Sequence, residues 1–226
     1  MKATTMSKTW KQLFLVFAFL FTESQGQGKS SCSSADFSFD QLHKQLQNTK
    51  DCLEATSEKW TTHQNADFFN QLLTLTEIIQ KQQNTELLRL LPANCSVPVV
   101  PRDGGLLCVS AENNIYCKPM CNAGYDFNLI RRSRLYEKCG AASQHKWTTQ
   151  YIGGNRLADC TKSHITVAGA PSAFFPEGKD CHKTKSNEQL IRNITNIFRS
   201  ELIKVFRFKG LTSFNSTCLI CGQNQK

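Results

Sequence analysis

Eleven cysteines, none of them before residue 32, constrain this 226-residue chain more than any other feature. They are Cys32, Cys52, Cys95, Cys108, Cys117, Cys121, Cys139, Cys160, Cys181, Cys218 and Cys221. In an oxidising compartment that density reads as a disulfide framework, and all eleven are candidates for it. The number is odd. At least one thiol must therefore stay free, be capped, or pair with a second chain, which leaves a disulfide-linked dimer open. Cys117-x-x-x-Cys121 has metal-ligand spacing, but no second Cys or His pair follows at zinc-site distance, so neither a metal nor a cofactor is expected. Cys218-x-x-Cys221 has redox spacing without the strand-helix pattern of a thioredoxin-like site. The expectation there is a structural bridge from Cys181 to Cys218 or Cys221, with the other left over.

The start of the chain supplies the compartment. Lys2, Lys8 and Lys11 precede the apolar run LFLVFAFLF at 13–21, and small residues at Ser24 and Gly26 are spaced for cleavage before Gln27. Residues 1–26 thus read as an export signal. The apolar run falls far short of the roughly 20 residues a helix needs to cross a bilayer. Nothing later is long and apolar enough to anchor the chain, and the polar end CGQNQK does not resemble a lipid-anchor signal. Sequons at Asn94, Asn193 and Asn215 fit a secreted glycoprotein. Losing three lysines and Glu23 with the signal lowers the formal charge from +9 to +7. A basic secreted protein meets sulfated glycans, anionic surfaces or acidic proteins. The export signal, and the lack of any nucleic-acid-binding motif, argue against nucleic acid.

Composition separates three regions after the signal. Residues 27–92 read as helical. Ser38 and Gln41 have capping-box spacing, and Phe39, Leu42 and Leu46 follow at helical intervals. A second helix is expected from about Ala66 to Leu91, with Phe68, Phe69, Leu72, Leu75, Ile79, Leu87 and Leu91 on one broad face and Pro92 as the stop. Two antiparallel helices would bury these faces against each other, and a Cys32–Cys52 bridge would secure the lead-in. The same faces also suit a groove or an oligomer contact. Residues 93–161 are extended and turn-rich, from SVPVVPRDGG at 96–105 onward, with short strands expected at Ile115-Tyr116 and from Trp147 to Ile152. Residues 162–226 open with an irregular Gly- and Pro-containing stretch at 168–176. A helix is then expected over Asn187–Phe206, with Ile191, Ile194, Phe198, Leu202 and Val205 at steps of three and four. Lys204, Arg207 and Lys209 complement its C-terminal end, and Gly210 stops it.

Within the middle region the order Cys95, Cys121-Asn122-Ala123-Gly124-Tyr125, Cys139, Trp147, Cys160 resembles a sushi module, also called a complement control protein module or short consensus repeat. The resemblance implies bridges Cys95–Cys139 and Cys121–Cys160, and it implies a binding role, since such modules mostly serve protein recognition. Cys108 and Cys117 are additional to that pattern. A local bridge between them would close a hairpin around Asn113-Asn114. The stretch from Trp147 to Cys160 is also longer than usual. The fold class expected is α+β: a small disulfide-rich β module flanked by an N-terminal helical hairpin and a C-terminal helix.

Arg131-Arg132-Ser133-Arg134 is the sharpest charged feature. With Lys138, His145 and Lys146 it is expected to form a cationic contact patch, because the guanidinium fork matches sulfate oxygens. The same residues suit a solvated basic loop, and the tetrapeptide also resembles a furin-type cleavage site after Arg134. His43, His63, His145, His164 and His182 are scattered, without nucleophile or metal motifs around them. The chain therefore reads as a non-enzymatic recognition protein for an extracellular protein or a sulfated glycan. A processed precursor and a disulfide-linked assembly component are the alternatives.

Overall fold

A computed structural model describes residues 38–152, 154–206 and 214–224. The chain divides into two compact units, Met1–Asp67 and Phe68–Lys226.

The first unit contains helix α1, Phe39–Thr56. The capping box is formed: Ser38 Oγ accepts from the Gln41 amide at 3.3 Å, and Gln41 Oε1 accepts from the Ser38 amide at 3.0 Å. Helix α2, Thr62–Leu88, starts on a second such box, between Thr61 and Gln64. Within the first unit the apolar face expected on α1 stays open. Phe39, Leu42 and Leu46 are all exposed, and α1 buries no residue. These three side chains make only a narrow stripe, so local terms hold the helix: its capping box and a Lys50–Glu54 pair.

In the second unit α2 likewise leaves Phe69, Leu72, Leu75 and Ile79 exposed and buries Leu87 alone. The core lies beyond it, on both sides of a four-stranded antiparallel sheet. Its strands are β1 (Gly104–Ala111), β2 (Asn114–Cys121), β4 (Glu137–Gly140) and β6 (Ser216–Cys221), in spatial order β4-β2-β1-β6. The β1–β2 hairpin turns at Glu112-Asn113, both at positive φ (47° and 59°), the conformation that matches strand twist in two-residue turns. Pro119 sits in β2 beyond the last residue paired with β4, so its missing N–H costs the sheet no bond on that side.

Alternation along β1 sends Leu106 and Cys108 to one face and Leu107, Val109 and Ala111 to the other. Helix α4, Glu188–Phe206, covers the second face with Ile194, Phe198 and Leu202. Its start is capped by Asn187, whose side chain accepts from the Leu190 amide. Val205 remains exposed, and Arg207, Lys209 and Gly210 lie outside the described residues. The first face is filled by Leu87, Ile115, Trp147, Leu157 and Ile220.

The architecture is therefore α+β, but the C-terminal region is no flank. It supplies β6, which pairs with β1 from Gly105↔Cys221 to Ser110↔Ser216, and the helix that closes the core. Residues 147–152 form no strand. Trp147 is buried instead and donates its indole N–H to the Ser96 carbonyl at 2.7 Å. A second ribbon, β3 (Tyr125–Phe127) with β5 (Cys160–Lys162), stands apart from the main sheet. A short helix α3, Cys181–Lys185, precedes α4. Among the described residues no helix is long and apolar enough to cross a membrane.

Candidate recognition surface

The four bridges are Cys95–Cys139, Cys108–Cys117, Cys121–Cys160 and Cys181–Cys221. The first and third are the pairs the sushi resemblance implies. The second links facing residues of the β1–β2 hairpin. Cys218 is left as a buried thiol and Cys52 as an exposed one; Cys32, and with it the expected Cys32–Cys52 bridge, lies outside the described residues. Exposure at Cys52 is what a disulfide-linked dimer would need.

Two of the three arginines in the cationic tetrapeptide turn inward. Arg131 is 3% exposed, and its guanidinium donates to Glu137 Oε1 at 2.8 Å, to Gln150 at 3.1 Å and to the Leu157 carbonyl at 3.1 Å. Arg134 forks onto the same carboxylate, at 2.6 Å to Oε1 and 2.8 Å to Oε2, and also donates to the Thr148 carbonyl. Glu137 is fully buried and takes a fourth bond from the Thr148 hydroxyl at 3.0 Å. Burial pulls the Arg131 pKa down, against the hydrogen bond it donates to Glu137. The hydrogen bond to Glu137 raises that of Arg134. The expected contact patch thus loses Arg131 and Arg134, because a buried carboxylate needs opposite charge more than the surface does. Arg132 and Lys146 remain exposed, and Lys138 and His145 are half-buried. A protease cutting after Arg134 would first have to draw both arginines off Glu137.

Basic side chains gather instead around an open groove of about 760 Å³. One wall is Val99–Asp103, the other Arg156 and Asp159–Lys162, with Tyr125 between them. Arg102, Arg156 and Lys162 are exposed along it. The walls are fixed. Val99 bridges to Arg156, and Cys121–Cys160 ties β5 to the end of β2. Asp103 is buried on the groove wall beside Tyr125 and takes the left-handed conformation (φ 52°) with its amide on the Gln223 carbonyl. Arg156 stacks over Tyr151 at 5.7 Å and reaches Asp159 at 3.5 Å. Three cations, Arg102, Arg156 and Lys162, against two carboxylates, Asp103 and Asp159, leave the groove lining with a net positive charge. No local run marks this site in the sequence. Arg156 and Lys162 flank Cys160, and Arg102 comes from a distant stretch that the Val99–Arg156 bridge brings beside them.

A second polar node is internal. Lys118, 1% exposed, donates to Ser172 Oγ at 2.8 Å and Glu201 Oε2 at 2.6 Å, and Ser172 donates to the other Glu201 oxygen. Burial lowers the lysine pKa and the Glu201 hydrogen bond opposes that. The node joins β2 to α4. The sequon asparagines Asn94, Asn193 and Asn215 are all exposed. Among the described residues no group of His, Cys, Asp and Glu is arranged to hold a metal. Compared with family models, curated proteins and solved structures, the chain matches none.

Proposed function

We propose that this chain is a secreted, non-enzymatic recognition protein that binds sulfated glycan through the groove between Val99–Asp103 and Arg156–Lys162. The observation that carries the reading is the exposure of Arg102, Arg156 and Lys162 along one disulfide-fixed cleft. Planar guanidinium groups pair with two oxygens of one sulfate, and a lysine adds a mobile point charge. A rigid wall keeps the ordering cost of binding low. The apolar run at 13–21 and the four bridges support an extracellular setting. The sushi resemblance covers most of the groove and supports a binding role rather than a catalytic one.

Retention on immobilised heparin tests the reading. The variant Arg102→Ala/Arg156→Ala/Lys162→Ala is expected to elute at clearly lower salt than the parent. Arg132→Ala/Lys146→Ala, which removes exposed cations outside the groove, is expected to elute nearly with it. Equal elution of parent and groove variant would sink the assignment.

A further inference from the structure

The free thiol of Cys218 is not isolated. In the sheet register Cys108 faces Cys117 on one side and Cys218 on the other. Three cysteines on three adjacent strands therefore share one rung, with Cys108 at its centre. All three side chains point to the same face, into the cluster that holds Leu106, Ile115 and Ile220. Facing residues of antiparallel neighbours have Cα atoms about 4.5–5.5 Å apart, within the range a disulfide spans. Cys108–Cys117 occupies one of the two possible bonds. The register places Cys117 and Cys218 on opposite sides of Cys108, the order that an in-line displacement at the Cys108 sulfur requires.

We propose that Cys218 exchanges with the Cys108–Cys117 bridge, so that Cys108 is linked alternately to β2 and to β6. The chemistry balances within the chain. Cys218 gives up its proton and attacks Cys108 Sγ as thiolate. The Cys108–Cys218 bond forms as Cys108–Cys117 breaks, and Cys117 leaves with the electron pair and takes up the proton. No oxidant or reductant is consumed. The leaving side is suitably charged. Cys117 faces Glu137 across the β2–β4 pair, and Arg131 and Arg134 together bring one more positive charge there than Glu137 neutralises. The attacking side is held back. Burial first, and the Glu86 carboxylate second, push the Cys218 thiol up to about 12, with Lys185 pulling the other way. Glu86 and Lys185 pair with each other at 3.2 Å. Thiolate is therefore scarce at neutral pH, and the exchange is a slow isomerisation that alkali speeds. In one form the local hairpin is stapled. In the other, β6 is fastened to β1 and the hairpin is released.

The test uses the full chain carrying Cys32→Ser and Cys52→Ser, which leaves Cys218 as the one cysteine outside the four bridges. It is incubated without denaturant, quenched in acid, alkylated while unfolded, and mapped by peptide mass spectrometry. The expected result is a Cys108–Cys218 peptide that grows in step with alkylated Cys117. Its rate should rise about tenfold per pH unit below the thiol pKa and be independent of protein concentration. A map in which Cys218 alone is alkylated at every time and pH overturns the proposal, as does a rate that scales with concentration. Cys117→Ser provides a second reading. This variant should carry Cys108–Cys218 as its native bond, and two free thiols at those positions would count against the relay. The time course on the parent does not depend on that variant folding.

Discussion

At the scale of single residues, the most informative side chain is Glu137. A fully buried carboxylate is tolerable only when opposite charge and hydrogen bonds replace its water. Here Arg131, Arg134 and Thr148 do so from three directions. Glu137→Gln keeps the shape and removes the charge, leaving Arg131 buried without its counterion. It should cost about 3–5 kcal/mol, the usual penalty for breaking a buried pair from one side. Urea unfolding of the variant measures it, with the exposed Arg132→Ala expected within about 0.5 kcal/mol of the parent. Loss of less than about 1 kcal/mol in Glu137→Gln would mean that water already reaches the node. The arginines themselves are plain in the sequence and their role is not. A run of Arg reads as surface because burial of Arg is rare, and the carboxylate that turns it inward lies only three residues past Arg134.

At the scale of elements, β1 shows where sequence patterning stops. GGLLCVSA is buried on both faces, so it shows no two-residue alternation, and its two glycines resemble turn punctuation. The glycines are there for space. A Cβ on Gly104 would lie 2.4 Å from the Met120 carbonyl oxygen and 2.8 Å from Cys160 Sγ, and one on Gly105 would lie 2.5 Å from Cys181 Sγ and 2.8 Å from the Ile220 carbonyl oxygen. Two bridges thus pass β1 at consecutive residues. Gly105→Ala is expected to destabilise by about 1–3 kcal/mol, since backbone and a bridge must shift to admit the methyl group. Gly124→Ala is its counterpart, with nothing within 4 Å but φ at +85°, and its cost of about 1–2 kcal/mol is purely conformational. Thermal melts of both variants check the pair, and a Gly105→Ala that melts with the parent would contradict the close approach. The helices were legible for the opposite reason. Ser38–Gln41 capping and the Ile194-Phe198-Leu202 spacing are local signals. Whether a stripe is covered is not local, and α1 shows the difference, with its expected stripe present and exposed.

At the scale of the whole molecule, cysteine pairing was legible only as far as the sushi resemblance implies Cys95–Cys139 and Cys121–Cys160, while the choice of Cys218 or Cys221 as partner of Cys181 stayed open until the sheet was known. The sharing of one sheet by residues 104–140 and 216–221 was not legible. Strand β6 lies far along the chain from the edge it completes, and no short-range pattern encodes that return. This single long-range core has a collective consequence in alkali. Burial raises the pKa of Tyr116 and Tyr136, and burial with Asp159 raises that of Tyr151 to about 12. The Cys218 thiol rises to about 12 as well. For each of these acids the unfolded chain releases its proton first, so above their ordinary pKa values the native state holds more protons than the unfolded one. Stability must then fall as pH climbs from about 9 toward 12. Lys118 acts in the opposite sense. Its folded pKa is lowered, so the native state releases that proton first and its contribution improves up to the ordinary lysine value. One lysine, partly compensated by Glu201, is set against a thiol and four phenols, Tyr125 among them, so the net slope is downward. The urea midpoint is expected to be lower at about pH 10.5 than at about pH 8, with tyrosinate absorbance jumping on unfolding at the higher pH. Repeating the measurement in Cys218→Ala removes both the thiol's share and the disulfide exchange, and the remaining slope then belongs to the phenols. A midpoint that holds steady in that variant, with native tyrosines titrating at their ordinary value, would mean that these rings are reached by water and the core they line is open.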